Sequence, residues 1–364
     1  MGASCYAAKE AVKPFETPDD VERISKKESR LWIEAENIDE AIQDSDQIYE
    51  SEAVEQYLQE IMARLYPGFQ YTIKVRTLKS PILNAFALPN GSIYINAGLL
   101  ARLDNEAQLA TVLAHEVAHF ANRHSLRQRR VVKSRSALAV GTAIAGIPLA
   151  DLIAISSIFG FSRDLEREAD VVGYERLEAV GYDVRESVRV FEHLHAEAKV
   201  LDEKHPVFFS SHPKLKERIE SFKKLVALSA QTKGHVGREE YLQRTRRVRL
   251  TALEADLSMD RYKSLILVLE DNSASQRYEP HIRNYYLGEA YRRRGGEGDT
   301  EKAEAAYRKA IELRSDFAPS YRALGILYLK KDDSQKARPL LEKYLELAPD
   351  APDRAYVEHY MNSL

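Results

Sequence analysis

His115-Glu116-Val117-Ala118-His119 lies within an apolar run of helical period, Leu109 to Ala121. Residues four apart on a helix sit about 40° from each other around the axis, one turn up. Both imidazoles therefore reach one metal ion from the same face. Zinc suits two neutral imidazoles plus a carboxylate and keeps a coordination position for water. Glu116, beside that position, is placed to take a proton from the water. The chain has only 10 His in 364 residues, so the run needs a third ligand to mean more than an amphipathic helix.

An extended H-E-x-x-H-x-x-G-x-x-H motif does not supply it. Asn122 holds the glycine position and Ser125 the last one. His124 follows His119 by five residues, about 140° round a continuous helix, and is not expected to share the metal. A later acidic segment, Ser162 to Asp170, supplies a carboxylate instead. Glu166 and Asp170 are four apart and share a face. Glu166 is assigned to the metal and Asp170 to the N–H of a ligand histidine. Glu168 points elsewhere and reads as solvated.

The motifs around this run carry a resemblance. Asn84-Ala85-Phe86-Ala87-Leu88-Pro89, Gly91-Ser92-Ile93-Tyr94-Ile95 and Gly98-Leu99-Leu100 precede the helix. Ser162 to Asp170 and Ser211-His212-Pro213 follow it. This order resembles the HtpX and CAAX-prenyl-protease family of zinc metallopeptidases over roughly residues 50–225. The resemblance implies one zinc ion per chain held by His115, His119 and Glu166, with Glu116 as general base. It also implies a second catalytic residue in His212, as a ligand or an oxyanion partner. Family members integral to membranes carry several spans and this chain does not. It is more similar to the soluble periplasmic BepA-type branch that ends in tetratricopeptide repeats.

Composition bounds the alternatives. A net charge of −3 argues against nucleic-acid binding, and a single cysteine, Cys5, excludes an internal disulfide. The small residues around Cys5 read as the tail of a lipoprotein signal, and Ala7 or Ala8 as the end of a secretory one. Either reading places the chain in a bacterial periplasm or envelope, with peripheral or lipid-anchored membrane association. A plain cytosolic start is the alternative. The apolar stretch 136–161 is broken by Pro148 and Asp151, and each part falls short of the ~20 residues a span needs. A single crossing would also put His119 and Glu166 on opposite sides of the bilayer. Two packed helices beside the cleft are expected there.

The expected fold is α+β and mainly helical: a zincin-type metallopeptidase domain with a small β-sheet, then an all-α tetratricopeptide-repeat domain. The boundaries read as 1–49 for a helical or flexible start, 50–231 for the peptidase and 239–364 for the repeats, with 231–237 as linker. A helix is expected over Ser51–Leu65 and strands over Tyr71–Val75, Asn84–Leu88 and Ser92–Asn96. An edge strand holding extended substrate by its backbone is placed at Ala85 and Phe86 or at Ser92, Ile93 and Tyr94. His193, His195, His205, His235, His281 and His359 read as surface residues.

The C-terminal third repeats itself. Tyr321, Leu324, Gly325, Tyr328, Ala337, Leu341, Tyr344 and Pro349 follow the tetratricopeptide spacing, and Leu287, Gly288, Tyr291, Ala303, Tyr307 and Ala310 form an earlier copy. Such stacks present a concave surface to peptides or proteins. The reading is a zinc-dependent endopeptidase acting on unfolded or misassembled envelope proteins, with repeats that recruit substrate or partner. The alternative is a chaperone or adaptor whose metallopeptidase site is latent.

Overall fold

A mixed three-stranded sheet and one central helix position everything that follows. The computed structural model describes residues 12–131, 160–200, 215–271 and 277–362. His212, Cys5, His205 and the stretch 136–159 lie outside the described residues. The chain forms two compact units, one of residues up to 198 with 203–252 and one of 199–202 with 253–364.

In the first unit the sheet order is β1 (Lys74–Leu78), β3 (Ser92–Asn96), β2 (Ala85–Ala87). β1 pairs parallel with β3 and β2 pairs antiparallel with it. The β2–β3 hairpin turns at Pro89-Asn90-Gly91, where Leu88 N–H donates to the Ser92 carbonyl at 2.8 Å. β1 starts three residues later than the alternation predicts, because Thr72 and Ile73 donate to Phe69 in a turn. β3 has both backbone edges paired, so it cannot serve as a substrate edge. That corrects the placement at Ser92, Ile93 and Tyr94. Among the described residues only β2, with Ala85 and Phe86, keeps an edge without a strand. The outer edge of β1 is covered by Gln47 to Tyr49.

The helix Glu52–Leu65 starts at Ser51, whose hydroxyl accepts from Val54 N–H. Its inward residues Val54, Tyr57, Leu58, Ile61 and Leu65 share the main core with Ile93, Leu109 and Leu113. The motif helix, Glu106–Ala121, is buried on every side. A helix with no wet face belongs to the middle of a domain. Asn105 caps its start by accepting from Gln108 N–H at 3.0 Å. Glu106 in the first turn receives bonds from Tyr57, Arg64 and Tyr182 at 2.9, 2.7 and 2.7 Å.

Two boundary expectations change. Residues 12–49 belong to the first unit. Ala35, Ile38 and Ile42 of the helix Lys26–Gln43 cover Leu78, Phe86, Leu88 and Tyr94 on the sheet. The linker-like stretch 231–237 is also built in. His235 bridges to Tyr182, the Gln231 side chain bonds the Tyr182 carbonyl and the Val184 amide, and Val236 accepts from Ala107. Beyond it Tyr241, Val248 and Ala252 still lie in the main core.

In the second unit two helix pairs repeat the same contact. In the pair Pro280–Arg294 and Asp299–Leu313, a Cβ at Gly288 would meet the Tyr307 ring at 2.5 Å. In the pair Ala318–Leu329 and Ser334–Leu347, a Cβ at Gly325 would meet Leu341 at 2.7 Å. Each glycine lets one helix of a pair seat a large side chain of the other. Val357 of a last helix, Arg354–Asn362, packs on Leu341, Tyr344 and Leu345. His281 is buried against Phe317, not on the surface.

Candidate active site

Two helices build the site. The motif helix contributes His115, Glu116 and His119, and the acidic helix Arg163–Ala179 contributes Glu166 and Asp170. The acidic helix starts at Ser162, so Glu166 lies in its first turn, with Asp170 one turn on. The two helices touch at Gly173, where an added Cβ would stand 3.2 Å from the backbone of Ala114 and His115.

Three donor groups converge. His115 Nε2 lies 3.0 Å from His119 Nε2 and 3.5 Å from Glu166 Oε2, and His119 Nε2 lies 3.4 Å from Glu166 Oε1. Ligands about 2.0–2.1 Å from one tetrahedral ion stand about 3.3 Å apart. The spacing and the donor set, two imidazole nitrogens and one carboxylate, fit a single divalent cation, and these three residues could hold it. All three are buried, and Glu116 is 1% exposed.

Around the donors lies a ring of charge. Asp170 Oδ1 is 3.0 Å from His115 Nδ1. Arg218, from the helix Leu215–Leu228, clamps Asp170 with Nε at 2.9 Å and a terminal nitrogen at 2.5 Å. It also lies 3.5 Å from Glu166, and its guanidinium covers the Phe191 ring at 4.4 Å. Burial opposes ionisation of Asp170, but the Arg218 charge and the His115 hydrogen bond hold its pKa below the usual carboxylate range. Burial and the Arg218 charge both disfavour a proton on His115. Hydrogen bonds to Asp170 and Glu166 outweigh them and hold its pKa up at about 9. A cation entering the site must displace that proton.

His124 is close after all, and the reason is local. The motif helix stops at Asn122, and Arg123 takes the left-handed conformation, φ 54°, before a new helix, His124–Val131. The 140° offset of a continuous helix does not apply across this turn. His124 comes back under the site with Nδ1 2.8 Å from His119 Nδ1. Burial pushes its pKa down to about 4, with Glu168 opposing and Arg127 assisting. Glu168 is not simply solvated: Arg127 donates two 2.7 Å bonds to it, and it lies 3.6 Å from His124 Nε2. Phe161 stacks on the His119 ring at 4.0 Å.

Residues 50–226 match the family model described as peptidase family M48. This part of the chain is similar to peptidase family M48. Residues 295–317 and 320–355 match two tetratricopeptide-repeat models. The chain is 34% identical over 149 residues to the mitochondrial metalloendopeptidase OMA1 of Arabidopsis thaliana, covering 40% of this chain and 30% of that protein. It is 31% identical over 151 residues to OMA1 of Schizosaccharomyces pombe, covering 40% and 44%. It is 28% identical over 151 residues to the beta-barrel assembly-enhancing protease of Escherichia coli, covering 38% and 31%. The chain spans less than half the length of each of these relatives. Among the described residues no helix is long and apolar enough to cross a membrane.

Sequence reasoning missed Arg218 altogether. Its only signal was position, one turn into the helix that follows His212-Pro213.

Proposed function

We propose that this chain is a zinc-dependent endopeptidase with one ion per chain, held by His115, His119 and Glu166. The observation that carries the reading is the approach of those three donors within 3.5 Å of one another. A divalent ion held there would supply Lewis acidity to a water and to a peptide carbonyl. The rest falls to the chain's own residues. Glu116 follows His115 on the motif helix and would take a proton from the attacking water, then return it to the leaving amine. Asp170, held by Arg218, would keep the His115 ring in place. The outer edge of β2, at Ala85 and Phe86, would hold substrate in extended form by backbone bonds. His212 keeps its catalytic assignment on the family resemblance alone.

The substrates proposed are unfolded or misassembled proteins of the bacterial envelope, recruited by the repeats, with peripheral or Cys5-anchored membrane association. Support comes from the domain order and from the beta-barrel assembly-enhancing protease among the relatives. The second reading, a client-binding adaptor with a latent site, is favoured by one observation. His115, Glu116, His119 and Glu166 are each no more than 4% exposed, which describes a closed site. Metal content together with casein cleavage by wild type and Glu116→Gln separates the two. Wild-type cleavage that the variant loses supports the enzyme. A stoichiometric metal with no cleavage by either supports the latent adaptor.

A further inference from the structure

His119 needs a partner that the metal reading does not supply. Its Nε2 is the atom facing His115 and Glu166, so coordination leaves the ring proton on Nδ1. A ligand histidine is oriented by whatever accepts that proton. For His115 the acceptor is the Asp170 carboxylate at 3.0 Å. For His119, among the described residues, the group at Nδ1 is an imidazole. The atom in place is Nδ1 of a second imidazole, His124, at 2.8 Å.

We propose that His124, backed by Glu168 and Arg127, is the positioning residue that fixes the tautomer and ring plane of His119. This rests on the zinc reading above. For His124 Nδ1 to accept, its own proton must sit on Nε2, and Nε2 faces Glu168 Oε1 at 3.6 Å. Glu168 is in turn fixed by the paired bonds from Arg127. The order of parts is therefore Arg127, Glu168, His124, His119, metal. Arg127 holds Glu168 by hydrogen bonds, and the Glu168 charge stands 3.6 Å from the His124 nitrogen that must carry the proton, beyond hydrogen-bond distance. Phe161 completes the seat, stacked on His119 and edge-on to His124 at 5.9 Å.

The turn that makes this possible is held from outside the family match. Arg123 has φ 54°, which costs a residue with a side chain of order 1 kcal/mol or more. Its guanidinium is bound by Glu28, donates to the Lys13 carbonyl at 3.1 Å and lies over the Phe15 ring at 4.8 Å. The N-terminal segment thus fixes the reversal that brings His124 back to His119.

The test uses the full chain and zinc itself. Zinc affinity is measured by competition with a chromophoric chelator, and the ligand field by the visible spectrum of the Co2+-substituted protein. His124→Phe keeps a ring against Phe161 but removes the acceptor. It should weaken zinc about 10–100-fold and shift the Co2+ bands, with one ion still bound at saturation. His124→Asn can present an oxygen where Nδ1 stood and should restore most of the affinity. Glu168→Gln, at a partly exposed position that tolerates change, should give an intermediate loss and guards against misfolding of the first variant. Wild-type affinity and spectrum in His124→Phe and Glu168→Gln overturn the relay. If wild type takes up no zinc, or Glu166→Ala binds it as well as wild type, the metal centre itself falls and the relay falls with it.

Discussion

Gly173 rests on Ala114: a Cβ on the glycine would stand 3.2 Å from the alanine carbonyl carbon. That contact fixes how near the acidic helix comes to the motif helix, and so where Glu166 stands relative to His115. Gly173→Leu should force the helices apart, costing about 1–3 kcal/mol as overpacking does. Because the displaced carboxylate is a proposed ligand, zinc affinity should fall along with the melting temperature. A drop in stability with unchanged zinc affinity would show that the site tolerates the shift.

Glu116→Gln should keep fold and zinc yet lose peptidase activity by about 10²–10⁴-fold, because a carboxamide cannot accept the proton. Peptide turnover by the purified variant at saturating zinc decides it. Turnover equal to wild type would remove Glu116 from the mechanism.

Arg218 faces both Asp170 and Glu166 in a buried setting. Arg218→Met takes the guanidinium away from both carboxylates. Breaking a buried pair this way costs about 3–5 kcal/mol. A bound dication supplies positive charge to the same groups, so zinc should restore part of the loss. Thermal unfolding with zinc and with chelator checks this; the deficit of the variant should be larger in chelator.

Among the repeats, Glu289 accepts from Tyr307 at 2.6 Å and pairs with Arg292 and Arg293. Burial works against its charge, but the Arg292 bonds and the neighbouring groups win and its pKa is lowered. A lowered carboxylate pKa contributes stability above the unfolded value, about 4.3, and that contribution is lost as pH falls through the folded value. Glu289→Gln should therefore unfold more easily than wild type at pH 7, and the difference should shrink toward pH 3. Denaturant midpoints for the second-unit transition at both values are the measurement. A gap that widens on acidification contradicts the sign.

A chain ending at Gln231 loses Tyr241, which is wholly buried and donates to the Leu100 carbonyl at 2.5 Å, together with Val248 and Ala252. Each full burial of a large apolar side chain is worth about 1.5–3 kcal/mol. A chain ending at Ser258 keeps all three. The shorter chain should melt well below the longer, and only the longer should hold zinc and cleave a flexible peptide like the intact protein. Equal melting of the two would return the boundary to residue 231.

The parts of the site legible in the sequence are those on regular helices. His115, His119 and Glu166 could be brought together because spacings of four mean one face. The β2–β3 hairpin could be placed because Pro89-Asn90-Gly91 is a turn signal, and Gly288 and Gly325 because the repeat spacing names them. What escaped depends on breaks in regularity or on distance along the chain. His124 was set aside by an angle that holds only on an unbroken helix, and nothing in Arg123 announces a positive φ. Arg218 sits in a run rich in Lys and Glu, Lys214 to Lys224, where a buried guanidinium looks like a solvated one. The stretch 231–237 has a linker's composition but is pinned by bonds to residues near 182, which composition does not record.

The helix Lys26–Gln43 has one more consequence, and it concerns time. Synthesis runs from the N-terminus, so this helix leaves the ribosome before the strands whose outer face it covers. Phe86, Leu88 and Tyr94 would otherwise present an apolar face to any other chain nearby. Here the cover exists before the surface does. A newborn chain can close over its own sheet as each strand emerges, and deletion of residues 12–43 should cost yield of native protein during synthesis before it costs anything at the catalytic centre.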